Sequence, residues 1–184
     1  MTAPSNARRQ RGFSLIELMI VVFMIGVLST LIGTAYMRNL KRSRTTEAVG
    51  HLQKMWAGAI TYYETDHASD TGVMADKQFP GDCDSFTYAE EDCCPPLNPT
   101  GRCQGNDPIY QADPWKAIQF NMPDSHLYVP HYSACPDPKK NLWIEAWGDL
   151  DCDGTHSVFT RRANIGAGGD VEGYLTPAVV NEIE

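Results

Sequence analysis

Cationic residues are in short supply in this 184-residue chain: 15 Lys+Arg stand against 23 Asp+Glu, for a net charge of −8. An acidic balance of that size argues against a surface that coats DNA or anionic lipid non-specifically, so no nucleic-acid partner is expected. Catalytic signatures are missing too. No G-x-S-x-G, G-x-x-x-x-G-K-[ST] or H-E-x-x-H occurs, and Gly166-Ala167-Gly168-Gly169 lacks the spacing of a dinucleotide loop. The chain reads as a non-enzyme. Zinc is disfavoured, because no C-x2-C pair exists and His126, His131 and Cys135 make only a loose cluster. Proline is absent between Arg38 and Thr65, and only one charge falls between Phe13 and Met37.

That second absence defines the N-terminus. The run from Leu18 to Met37 is uncharged over 20 residues, the length of a helix that crosses about 30 Å of hydrocarbon. A plain membrane anchor fits it. So does a secretory signal, since Gly33-Thr34-Ala35 is a passable small-x-small cleavage site. A buried core helix fits least, because the run is apolar on every side. Glu17 disturbs all three readings, since a carboxylate at the start of an apolar run costs free energy unless it is protonated or paired. Positions 13, 14, 20 and 21 carry no basic side chain, so a partner must come from elsewhere. A cut between Gly12 and Phe13 would create one, an α-amine at the edge of the apolar layer. Placed level with Glu17 of a staggered neighbour, that amine would tie copies together in one register.

Gly12-Phe13-Ser14-Leu15-Ile16-Glu17-Leu18-Met19-Ile20-Val21-Val22, preceded by Arg8, Arg9 and Arg11, resembles the class III signal of type IV pilins and pseudopilins. The resemblance implies that a prepilin peptidase cuts after Gly12 and N-methylates Phe13, and that Glu17 neutralises the Phe13 amine of the adjacent subunit during assembly. It implies a precursor in the inner membrane, in contact with its lipid, that leaves as part of a periplasmic or extracellular filament. Other pilin-like subunits, an assembly platform and an ATPase are the partners it implies. Gly26 also falls on a family position, whereas Thr34 stands where the family has proline, which shifts weight towards a minor pilin or pseudopilin. Arg38, Lys41, Arg42 and Arg44 follow the apolar run, so flanking charge is nearly tied and orientation rests on the resemblance. Loss of the leader's three arginines takes the net charge from −8 to −11. One alternative is a secreted, calcium-stabilised binding domain released after Ala35. Another is a filament-tip adhesin or DNA receptor, which shares the anchor and differs only in its head surface.

Beyond the basic cluster, Ala48, Leu52, Met55, Ala59 and Tyr62 recur at helical spacing, and Val49, Trp56, Ile60 and Tyr63 widen the stripe. One helix is therefore expected from Phe13 to about Thr65, its second half packed on a sheet. The expected fold is α+β: leader 1–12, apolar helix half 13–37, amphipathic half 38–65 and a globular head 66–184. In the head, a long loop with a short helix or turn near Trp115 to Phe120 precedes three strand candidates, His126 to Cys135, Leu142 to Leu150 and His156 to Ile165. Pro136-Asp137-Pro138 and Asp153-Gly154 separate them. Alternation at Leu142, Ile144 and Ala146, and at Val158 with Thr160, suits a half-buried antiparallel sheet.

Six cysteines in such a head imply disulfides. A Cys135–Cys152 bridge is plausible from strand and turn positions, leaving Cys83, Cys93, Cys94 and Cys103 for two local bridges of open pairing. Asp149, Asp151 and Asp153 with Gly154 match the opening of a calcium loop, which Thr155 and Ser157 extend. Position 12 is Thr160 rather than glutamate, so Asp170 or Glu172 would have to complete a site for Ca²⁺. An acidic β-turn is the plain reading of the same residues.

Overall fold

The computed structural model describes residues 12–68, 72–81, 92–96, 98–174 and 176–182, without the side chains of 31, 32, 34 and 35. Two compact units partition the chain, Met1–Asn39 and Leu40–Glu184. Helix α1 runs from Leu15 to Glu64, within two residues of the expected bounds at the start and one at the end.

In the first unit the apolar side chains of Phe13 to Leu28 are exposed all round the helix. Two of its hydroxyls are turned onto the backbone, Ser29 Oγ donating to Ile25 O at 2.7 Å and Thr30 Oγ1 to Val27 O at 2.8 Å. Such bonds satisfy these two hydroxyls locally. Among the described residues no helix is long and apolar enough to cross a membrane. The uncharged run Leu18–Met37 includes the four positions whose side chains are not described.

The second unit is built on the other half of α1. Ala48, Leu52, Met55, Ala59 and Tyr63 are buried at steps of a helical stripe, with Tyr63 rather than Tyr62 ending the row. This stripe shares one core with Leu142, Ile144 and Ala146 of the sheet, and Trp56 and Ile60 pack at its margin. Gly58 makes the closest approach, since a Cβ there would meet the Ile118 carbonyl oxygen at 2.0 Å. A helix of Pro108–Gln111 in 3-10 geometry, capped by Asp107, precedes the turns around Trp115 to Gln119.

Strands β1 (Val129–Ser133), β2 (Asn141–Gly148) and β3 (Ser157–Ile165) form an antiparallel meander. Two short strands that sequence patterning does not reveal, β4 (Val171–Gly173) and β5 (Ala178–Val180), pair with β3. The register places Leu142, Ile144 and Ala146 opposite Ala163, Arg161 and Phe159, and residues directly opposite share a face. Phe159 and Ala163 therefore point to the core, while Val158 and Thr160 take the other face.

The cysteine pairing corrects an expectation. Cys152 is bonded to Cys94, not to Cys135, and Cys93 is bonded to Cys103. Adjacent Cys93 and Cys94 thus reach in different directions, one to its own loop and one to the loop after β2. Cys135 is disulfide-bonded as well; Cys83 lies outside the described residues.

Candidate functional site: a helix start and an acidic loop

Gly12, Phe13 and Ser14 lie just before α1, and Ser14 O accepts from Glu17 N at 3.1 Å and Leu18 N at 3.2 Å. Glu17 is therefore in the first helical turn, where the unpaired N–H groups favour an acid. Its side chain is exposed. Among the described residues its carboxylate has no hydrogen-bond or ionic partner, although exposed apolar residues surround it from Leu15 to Ile20.

The second candidate is the loop between β2 and β3. Asp149 is buried and acts as the hub of the turn. Its Oδ1 accepts from the amides of Cys152 at 2.6 Å and Asp153 at 3.3 Å, and its Oδ2 from Gly154 at 2.8 Å. Asp153 Oδ1 in turn accepts from Thr155 N at 2.7 Å. Gly154 has φ +89, a conformation that suits glycine. One carboxylate oxygen from each of Asp149, Asp151 and Asp153 falls within 4.8 Å of the others. Such a set of oxygens fits a hard cation.

The remaining sequence candidates separate. Thr155 is exposed beside the carboxylates. Ser157 is fully buried, 3.1 Å from Tyr128 Oη and donating to Gly148 O at 3.0 Å, so its hydroxyl serves the core. Asp170 and Glu172 stand on the β3–β4 hairpin and do not join the three converging carboxylates. Cys93, Cys103 and His126 also converge within 4.8 Å, but the two sulfurs are spent in their disulfide.

Two features were invisible to sequence reasoning. Lys41 Nζ lies 2.6 Å from Asp151 Oδ2, giving the acidic loop a cation from α1. Glu47, on the same helix, accepts from Leu127 N and lies 3.5 Å from His51 Nε2 and 3.6 Å from Arg102 Nη2. Burial by itself raises the Glu47 carboxyl, but His51, the Leu127 amide and Arg102 together hold it below its ordinary value. Glu47 and His51 are an i,i+4 pair on one helix, but the contacts of Glu47 with Arg102 and Leu127, like that of Lys41 with Asp151, join segments far apart in sequence.

A family model described as "Prokaryotic N-terminal methylation motif" matches residues 7–33. The chain is 34% identical over 147 residues to type II secretion system core protein G of Klebsiella pneumoniae, covering 76% of this chain and 96% of that protein. The protein of the same name from Escherichia coli strain K12 is 28% identical over 145 residues, with 76% and 92% covered. Type IV major pilin protein PilA of Myxococcus xanthus is 38% identical over 63 residues, 34% of this chain and 29% of that protein. No solved structure matches.

Proposed function

Because the chain belongs to the type IV pilin and pseudopilin family, whose members are filament subunits, we propose that it is a pseudopilin or minor pilin of a type II secretion-type or type IV filament. The observation that carries the reading is the exposed apolar start of α1 with Glu17 in its first turn, unpartnered among the described residues. A relative named as a secretion core protein matches over 96% of its length, whereas the match to a major pilin covers 29% of that protein. This contrast supports the pseudopilin side.

The proposed sequence of events uses this chain's residues in order. A prepilin peptidase cuts between Gly12 and Phe13 and methylates the new amine. The apolar run holds the precursor in the inner membrane. An assembly platform and ATPase then draw the subunit into a helical bundle, where Glu17 meets the Phe13 amine of a neighbouring copy. In this role the chain is structural rather than catalytic. Mass spectrometry of protein isolated from cells tests the first step: methylated Phe13 at the N-terminus is expected, and a chain beginning at Tyr36 would overturn the proposal.

A second proposal concerns Ca²⁺ at Asp149, Asp151 and Asp153. The turn built on Asp149 supports it, because the three carboxylates converge without help from a distant segment. Lys41 already neutralises Asp151, so cation binding requires that ammonium to swing away. Titration calorimetry with Ca²⁺ is the test; absence of both heat and a thermal shift removes the ion from the account.

A further inference from the structure

A groove of about 820 Å³ opens within the Leu40–Glu184 unit, between α1 and the segment around Ile118 to Pro123. Between Lys54 and Tyr62, α1 presents the short side chains of Ala57, Gly58 and Thr61 to the groove. Tyr62 forms part of the wall, with its ring stacked on His67 at 4.0 Å between centroids. Lys54 stands two helical turns away at the rim, exposed, and among the described residues its ammonium has no ionic partner. Among the described residues no Asp or Glu lines the groove, although the chain carries 23 of them.

We propose that this groove is an interface for a second copy of the chain, which lays an acidic segment against Lys54. The inference rests on the filament-subunit reading, which puts copies side by side. It adds where on the head they meet. Charge complementarity carries it. Two copies repel, at −8 each before and −11 after loss of the leader's three arginines, unless the contact brings a carboxylate of one to a cation of the other. Here a cation stands beside a partly aromatic channel with no acid among its described lining residues. The chain also has acids to offer. Asp170 and Glu172 on the β3–β4 hairpin are exposed or nearly so, and among the described residues no cation lies within 4.0 Å of either.

The test uses filaments assembled in cells from normal and heavy-isotope copies of the chain and treated with a zero-length carbodiimide that joins amines to touching carboxylates. Mixed-isotope peptides linking Lys54 to Asp or Glu of another copy are expected. Filaments in which Lys54 links only within its own copy, or not at all, overturn the groove assignment and leave the subunit reading standing. If filaments made by cells contain no copies of the chain, the subunit reading falls first and the groove with it. Lys54→Glu should cut filament yield about tenfold or more while Lys54→Arg preserves it; equal yields for both also overturn the assignment.

Discussion

Lys41 on α1 and Asp151 in the β2–β3 loop form an ion pair at 2.6 Å although they are 110 residues apart. Asp151 belongs to the acidic loop, and Cys152 beside it is bonded to Cys94. The loop is thus tied at neighbouring positions to the helix and to the Cys-rich segment. Because both side chains keep partial access to solvent, the pair is worth only about 0.2–1 kcal/mol. Lys41→Met should lower the unfolding free energy by no more than that. It should also tighten Ca²⁺ binding in calorimetry, since the ion would no longer compete with an ammonium for Asp151.

Two glycines in α1 should respond in opposite ways to alanine. A Cβ on Gly50 would have nothing within 4 Å, so Gly50→Ala gains helix propensity and should stabilise by about 0.5–1 kcal/mol. A Cβ on Gly58 would stand 2.0 Å from the Ile118 carbonyl oxygen. There the backbone has to shift, and Gly58→Ala should destabilise by about 1–3 kcal/mol despite the same gain in propensity. Urea unfolding of the detergent-solubilised chain reads both, and equal effects would contradict the close approach.

The two bridges with assigned partners differ in the length of chain they close, 58 positions for Cys94–Cys152 and 10 for Cys93–Cys103. In the chain-entropy account these correspond to roughly 4 and roughly 3 kcal/mol, because the longer loop gives the unfolded chain more freedom to lose. Cys94→Ser with Cys152→Ser should therefore lower thermal stability more than Cys93→Ser with Cys103→Ser. The reverse order would assign the stabilisation to local packing instead.

How much of the fold is legible in the residues alone depends on the range over which each feature is encoded. The helix is legible because Ala48, Leu52, Met55 and Ala59 repeat within one element, and the three longer strands because turn residues, and in β2 and β3 alternation, are local. Tyr62 and Tyr63 are adjacent, so periodicity alone does not say which one closes the stripe. Strands β4 and β5 have three residues each, too few to show a period, and exist because β3 offers them an edge. Cys94–Cys152 and Lys41–Asp151 depend on how the sheet folds back on α1, which no spacing rule contains. At the site, the motif around Glu17 is legible as a local pattern. The dual use of Asp149, as turn hub and as one of three converging carboxylates, requires the folded loop.

His131 on β1 gives a pH dependence with a definite sign. It is buried, stacked on Trp147 at 4.7 Å, and lies on the sheet face that holds Glu145. Burial pushes its imidazole down to about 4; Glu145 pulls the other way and His156 adds to the fall. Glu145 itself accepts from the indoles of Trp143 and Trp147 and from Thr160. The folded chain thus holds His131 neutral where the unfolded chain would protonate it. Its stabilising contribution is complete above about pH 6.5, declines as pH falls, and is lost near pH 4, amounting to roughly 3 kcal/mol at most. The Glu47 and Asp76 carboxyls, both held low, add a loss that is concentrated at more acidic pH. His131→Gln keeps those acids, so the difference between variant and parent isolates the imidazole. Unfolding curves between pH 7 and pH 4 should be flatter for the variant, and parallel curves would remove His131 as the cause.

The strongest demand falls on Glu17. In water a lone carboxylate is cheap, but at the head of an exposed apolar helix it has no internal partner among the described residues. A cation about 4 Å away in an environment of intermediate dielectric would be worth about 4 kcal/mol before desolvation is subtracted. The net advantage of correctly staggered over misplaced copies is smaller, on the order of 2–3 kcal/mol, which corresponds to roughly a hundredfold in incorporation. Glu17→Gln keeps size and hydrogen-bonding capacity and removes only the charge. On the proposed function the variant should therefore insert and be cut after Gly12 as the parent is, yet enter filaments about a hundredfold less often. Cell fractionation with mass spectrometry of the N-terminus separates these steps. A variant that fails to insert would place the role of Glu17 in membrane targeting. One that polymerises as well as the parent would show that the charge does not set the stagger.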